Sequence, residues 1–276
     1  VISPLRLVPI YWATFIWLVL NIFFTYRIWK VILFYLPVEV LKIKHKRILT
    51  ILSFFFIYAL WHRNIHLGQM TIFIVYLCLE GMYQIYNKKL LLGSMFIGLG
   101  ISIKILPITL IPYLIYRGYF RATIYCVLTT IVILLFPGFI IGYDYHIFLL
   151  QERWNLINPL NKEHILDVSE RSFHSLTSLL SILFVENAGN TYSLELKRNI
   201  TSVDLTTLNV IINSFRVFLI TGVLVFIRAL PFQNSRNKIQ LFYELSYILL
   251  VTPLIFPHQK HYAFFFIFPA ITYLVF

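Results

Sequence analysis

Charge is scarce in this chain, and negative charge scarcer still. Only 12% of its 276 residues are Asp, Glu, Lys or Arg, and 11 acids stand against 23 bases. Soluble domains carry roughly 25% charged residues, so an ordinary soluble fold is excluded. Cysteine is nearly absent: Cys78 and Cys126 both lie in apolar windows, so no disulfide framework is expected and neither suggests a metal site. The chain has no phosphate-binding glycine loop, no nucleophile elbow and no HExxH. A nucleotide-sugar enzyme with a Rossmann-type domain is therefore unsupported. Internal repeats, low-complexity stretches and a recognisable signal peptide are missing as well. The chain opens on Val1 and stops at Phe276 inside an apolar run, and it reads as a fragment of a longer protein.

What the chain has instead is hydrocarbon. Hydrophobic residues make up 59% of it, and mean hydropathy is +0.81. Windows such as Ile10 to Tyr26 and Leu208 to Ile227 are long enough to cross about 30 Å of bilayer core as helices. Backbone groups in lipid must be satisfied internally, so many such windows predict an all-α polytopic bundle. We expect about eight spanning or partly spanning helices in one domain over residues 1–276.

The basic residues orient the threading. If Val1 starts outside, the inner connections carry Arg27, Lys30, Lys42, Lys44, Lys46, Arg47, Lys88, Lys89, Arg117, Arg121, Arg228, Arg236 and Lys238, against one acid, Glu39. The short outer connections carry only Arg6, Arg63, Lys104 and Lys260. This is the positive-inside arrangement, and it explains the net charge of +12 without nucleic acid as a partner. Val31 to Leu36 is expected to lie in the inner interface. The runs Ile48–Leu60 and Ile105–Tyr116 are short for a crossing, so either their helices extend into polar flanks or they are buried against others. Ser94, Gly98 and Gly100 offer small surfaces for close helix packing.

A long outer region, residues 143–205, contains "FHSLTSLLSILF". Phe173, Leu176, Leu179, Leu180 and Leu183 share one helical face, with Ser175, Thr177, Ser178 and Ser181 largely opposite. That pattern predicts an interfacial helix near 173–184.

Several odd polar residues collect at the outer boundary in this threading: His62, Arg63, His66 and Gln69 at one helix end, Lys104 at a second, and His258, Lys260 and His261 at a third. Arg171 and Ser175 border the interfacial helix. A charged side chain inside a bilayer costs at least about 2.5–3.5 kcal/mol and often marks a site, although Lys104 alone could simply snorkel to the headgroups. Gln69 could serve to start its helix. His258 and His261 could share a helix face towards a metal, but they lack a carboxylate partner, so no metal is assigned. Glu80 and Glu244 lie near inner helix ends and read as interface anchors. Arg216 sits nearer mid-span and should face the bundle interior.

The segment "HLGQMTIFIVYLCLEGMYQIYNKKLLLGSMFIGLGISIKILPITLIPYLIYRGYFRA" resembles the core of glycosyltransferase family 87, integral-membrane enzymes of the GT-C type. The matching features are Gly68-Gln69, then Gly93, Gly98 and Gly100 leading to Lys104 and Pro107, then Arg117 and Arg121. "RSFHSLTSLL" is similar to the family's outer Ser-Leu segment. "VTPLIFPHQKHYAFFFIFPA" is similar to its late Ser-Pro stretch, with Thr252-Pro253 and His258 in register, although Ile255 and Phe256 replace the usual Ser and Trp. The resemblance implies transfer of a hexose, typically mannose, from a polyprenyl-phosphate donor to a glycan or glycolipid acceptor on the extracytoplasmic face of the cell membrane, with inversion and no cofactor. Lys104 and His258 would contact donor phosphate, and Gln69, His66, Arg63, Arg171 and His261 would line the cavity. The family's catalytic Asp would lie upstream of Val1. Asp144, Asp167 and Asp204 belong to a different loop and are not substitutes. The alternative is a transporter or flippase of a lipid-linked substrate, which would predict inverted repeats and midplane binding residues.

Overall fold

The computed structural model describes residues 7–158, 174–186, 198–227, 230–233, 237–256 and 259–276. Among them there are helices and connections but no strand. The chain forms two compact units. The first comprises Val1–Phe136, Ala229–Leu249 and Phe265–Phe276, and the second Pro137–Arg228 and Leu250–Phe264. Among the described residues, five helical stretches are long and apolar enough to cross a membrane: Ile10–Tyr35, Ile43–His66, Phe120–Ile141, Leu205–Ile227 and Lys238–Ile255. The expected all-α polytopic bundle is the observed class.

The first unit opens with α1 (Ile10–Tyr35). Arg27 and Lys30 do not interrupt it, and Val31, Ile32 and Tyr35 are buried. The expected interfacial patch is thus the end of a single helix. Its rings are held by Tyr83, Tyr86 and Phe242 (Phe34 to Tyr83, 4.8 Å between centroids), and ring packing of this kind favours a buried face over a headgroup surface. α2 (Ile43–His66) runs through its polar flanks at both ends, which settles how a short apolar run makes a full-length helix.

α3 (Thr71–Tyr86) and α4 (Leu90–Ile103) form an antiparallel pair set by glycine. A Cβ on Gly93 would stand 2.5 Å from the Gly81 carbonyl oxygen, and one on Gly81 would stand 2.8 Å from that of Gly93. Only hydrogen fits at either position, so the backbones approach as small-residue pairs allow. On the other side of α4 lies α6 (Phe120–Leu135). Gly98 abuts the Cys126 carbonyl there, and the Ser94 hydroxyl donates to the Ala122 carbonyl at 2.8 Å. α1 and α3 run in the same direction, since Phe24 meets Phe73 and Tyr76 while Arg27 meets Glu80. α4 runs oppositely, giving the alternation that a threaded chain needs.

Residues 106–116 are a 3₁₀ turn (Leu106–Thr109) followed by the short α5 (Leu110–Tyr116). Leu106, Pro107, Leu110, Tyr113 and Leu114 are all buried. This run is therefore the buried kind of short helix, with Pro107 compatible with the tight first turn.

Two buried carboxylates near the Lys88 end of this unit are paired with arginines. Glu80, 3% exposed, accepts two bonds from Arg27 (2.8 and 3.0 Å) and one from Gln84 (2.7 Å). Glu244, on α11 (Lys238–Ile255), takes both the Nε and Nη2 of Arg117 and the Tyr113 hydroxyl. Both members of that pair are buried. The interface-anchor reading of Glu80 and Glu244 gives way to these pairs, because a buried carboxylate is tolerable only with its counter-charge and donors in place. The unit closes with α12 (Phe268–Val275) packed on α2.

In the second unit, α7 (Gly138–Ile141) and α8 (Tyr143–Ile157) meet at Gly142, whose φ of 86° suits glycine. α9 (Leu176–Phe184) packs on α10 (Leu205–Ile227) around Leu180, Leu208 and Ile212. The helix expected near 173–184 is thus present over its described part. Its faces differ from expectation: Ser175, Thr177, Ser178 and Ser181 are buried, while Leu179 is 55% exposed. The reason is Arg216 of α10, whose guanidinium donates to Thr177 Oγ1 at 2.9 Å and to Asn213 Oδ1 at 3.1 Å. A buried guanidinium needs acceptors, and α9 turns its hydroxyls inward to supply one.

Candidate functional site

α2 ends in a turn that fixes where Gln69 stands. Gly68 takes φ 60°, its N–H bonds the Ile65 carbonyl, and the Gln69 N–H bonds the Asn64 carbonyl at 2.9 Å. These are the two bonds of a Schellman stop, so "HLG" ends the helix because glycine accepts the left-handed conformation. Arg63 and His66 lie exposed in the last turn of α2. The rings of His62 and His66 stand 6.1 Å apart and nearly parallel. Gln69 is partly buried, and its side-chain amide bonds the Leu67 carbonyl at 3.3 Å. Met70 is the N-cap of α3 and no side chain caps it, so Gln69 does not serve as the cap.

Lys104 closes α4. It is extended (φ −143°, ψ 132°), yet its N–H still bonds the Gly100 carbonyl at 3.0 Å. Gly100 admits the Pro107 ring, which a Cβ would meet at 3.3 Å, and the chain leaves the helix there. Three contacts define the α3–α4 register: Gly93 lies against Ile85, Gly81 against Ile97, and Gly100 against Leu77. Continued by one turn, that register sets Lys104 level with the first turn of α3, about one helical turn from Gln69. Arg63, His66, Gln69 and Lys104 therefore gather at one end of the first unit. Burial lowers the Lys104 ammonium, just beyond its helix, to about 8, because a low-dielectric setting penalises the charged form.

The remaining expected residues belong to the second unit or lie outside the described residues, as do Arg171 and His258. His261 opens a 3₁₀ turn (His261–Ile267) with its ring 5.6 Å from that of His174. The His174 N–H donates to the Gln259 carbonyl at 2.8 Å, a pairing that the sequence pattern did not reveal. Asp204 is committed elsewhere: it caps α10, accepting from the N–H groups of Thr206 and Thr207 and from the Thr207 hydroxyl. The Thr207 bonds hold its carboxyl below the usual carboxylate range. Among the described residues, no group of three His, Cys, Asp or Glu side chains could hold a metal ion.

The arrangement offers one lysine with a depressed pKa, an arginine, imidazoles and an amide at a single end of a membrane bundle. Cations so placed can stabilise charge developing on a leaving phosphate. No curated protein and no solved structure matches the chain. The model of a protein family does match, over residues 1–257. The family is glycosyltransferase family 87, and the chain belongs to it: it is a membrane glycosyltransferase.

Proposed function

We propose that the protein transfers a hexose, mannose, from a polyprenyl-phosphate donor to a glycan or glycolipid acceptor on the extracytoplasmic face of the cell membrane. The observation that supports this reading is the gathering of Arg63, His66, Gln69 and Lys104 at one end of the first unit. A lipid-linked donor keeps its chain in the bilayer and presents its phosphate at such a boundary.

In the proposed reaction the acceptor hydroxyl oxygen attacks the anomeric carbon from the face opposite the phosphate. The bond between that carbon and the phosphate oxygen breaks, the configuration inverts, and a carboxylate base takes the hydroxyl proton. Polyprenyl phosphate leaves with the electron pair. Phosphate is already a good leaving group, so the step needs charge stabilisation more than protonation. Lys104 supplies that stabilisation, Arg63 adds positive potential, His66 lines the cavity, and Gln69 orients a sugar hydroxyl. For Arg171, His258 and His261, and for a base upstream of Val1, the support is family resemblance alone.

The test follows labelled mannose from polyprenyl-phosphate-mannose, using the full open reading frame in membranes supplied with acceptor extract. Nucleotide-linked mannose in membranes lacking carrier lipid is the control. Transfer from the lipid donor alone is expected. Failure with that donor and success with another lipid-linked sugar would correct the sugar, and failure with every lipid-linked sugar would remove the donor class.

A further inference from the structure

Between α1 and α2 the first unit holds a cleft of about 360 Å³, lined by Ile22, Thr25, Tyr26, Trp29, Phe54, Tyr58 and Trp61. Five of the seven are aromatic. The one hydroxyl buried in its wall is already engaged: Thr25 Oγ1 donates to the Asn21 carbonyl at 2.8 Å and accepts from Trp61 Nε1 at 3.0 Å. The lining is therefore chemically apolar. Ile22 (51%), Tyr26 (55%) and Tyr58 (59%) are exposed along its mouth, on the outward side of two helices long and apolar enough to cross a membrane.

The cleft has a direction. Tyr58 stands 5.8 Å from the His62 ring, and His62 stands 6.1 Å from His66. A ladder at four-residue spacing thus climbs α2 from the cleft wall to the imidazoles. Arg63 lies two residues beyond Trp61 on the same helix, and Lys104 ends α4 at that end of the unit. An occupant with an apolar tail in the cleft would carry its head into positive potential, so its head is anionic.

From this geometry we infer that the α1–α2 cleft holds the prenyl chain of the donor, with its phosphate at the His62–His66 end. The inference rests on the donor reading above and says where the chain of that donor lies. Ordinary acyl chains gain nothing by exchanging lipid neighbours for leucine-like surface, so a cleft open to lipid selects by shape and ring contact. A methyl-branched, unsaturated chain is stiffer than an acyl chain and loses less freedom on confinement. Its flat olefinic units also match the ring faces of Trp29, Phe54, Tyr58 and Trp61.

The experiment uses the full-length protein in phosphatidylglycerol-containing nanodiscs and a long prenyl phosphate bearing a diazirine on its chain. Irradiation is expected to attach the probe within residues 22–29 and 54–61. Unlabelled long prenyl phosphate should compete, and added phosphatidylglycerol should not. Ile22→Trp fills the mouth of the cleft from a lipid-exposed position. It should raise KM about three- to tenfold for a prenyl-phosphate donor, short or long, leaving kcat unchanged, because Ile22 stands near the Trp61 end of the cleft, where the first isoprenes beside the phosphate would lie. Competition by phosphatidylglycerol would make the cleft a general lipid groove and overturn the inference. So would irradiation-linked contact between cleft residues and another segment of the protein. If the wild type transfers sugar from the prenyl donor while the probe attaches elsewhere, the cleft assignment falls and the donor reading stands. Attachment in the cleft without any such transfer removes the donor reading, and the assignment of the chain to a donor falls with it.

Discussion

Replacing Lys104 by methionine separates function from stability, because the two should move in opposite directions. The ammonium titrates at about 8 in the folded protein against 10.5 for a free lysine. The full difference corresponds to about 3 kcal/mol, and the partial exposure of the side chain reduces this to about 1–3 kcal/mol. Between the two values the unfolded chain holds a proton that the folded chain has released, so stability rises with pH across that window. Below about 8 the cost of keeping the charge is present in full. Lys104→Met should therefore unfold later than wild type at pH 7, and its advantage should shrink between pH 8 and 10.5. Thermal unfolding of both proteins in nanodiscs across that range reads this directly. Transfer should fall by about 10²–10³-fold, the size of effect seen when one donor to a developing anion is lost. In the wild type, kcat/KM for donor should decline as pH rises through about 8, where Lys104 in the donor-free enzyme gives up its proton. Lys104→Arg should retain part of the activity without that decline, because guanidinium stays charged. A methionine variant that unfolds earlier than wild type yet transfers normally would refute the reasoning and make Lys104 a structural residue.

Glu244→Gln leaves Arg117 buried with its counter-charge gone and should destabilise the protein by about 3–5 kcal/mol. The Arg117→Met/Glu244→Leu double variant should recover most of that loss in the same unfolding assay. Gly93→Ala drives a methyl group against the Gly81 carbonyl and should cost about 1–3 kcal/mol, read as a lowered unfolding temperature. A tag placed in the turn at Asn87–Lys89 should be labelled only after cells are permeabilised. Labelling in intact cells would reverse the proposed sidedness.

Lys88 shows how far short-range signals reach. It adopts φ 65°, with Lys88 N–H bonding the Ile85 carbonyl and Lys89 N–H bonding that of Gln84. This is the same helix stop that Gly68 and Gly118 make with glycine. The glycine stops stand in the sequence, whereas a lysine in that conformation does not announce itself. The α2 helix tells a similar story. Its apolar run reads as too short, because the same helix continues through Lys44, Lys46 and Arg47 at its start and Arg63 and His66 in its last turn. The aromatic cleft did leave a trace in Phe54, Tyr58 and Trp61, spaced four and three apart on one helix face. Such a stripe reads equally as packing until the facing helix is known to stand off from it.

By itself the sequence determined the class, the helices and the polar residues available to a site. Bilayer hydrocarbon admits few backbone solutions, so hydropathy and the placement of basic residues carry most of that information. Glycine determined the α3–α4 contact for a comparable reason, since no other residue allows two carbonyl backbones so close. Only the tertiary structure decided which charges answer one another. Arg27 meets Glu80 across 53 residues of chain, and Arg117 meets Glu244 across 127. Neither pair has a local periodicity that could reveal it. Arg216 was legible as a residue that must face inward, but its acceptor Thr177 lay on a helix face that amphipathicity assigned to water. A buried guanidinium outweighs a surface preference of a few hydroxyls, and that contest is decided only once the two helices are in contact.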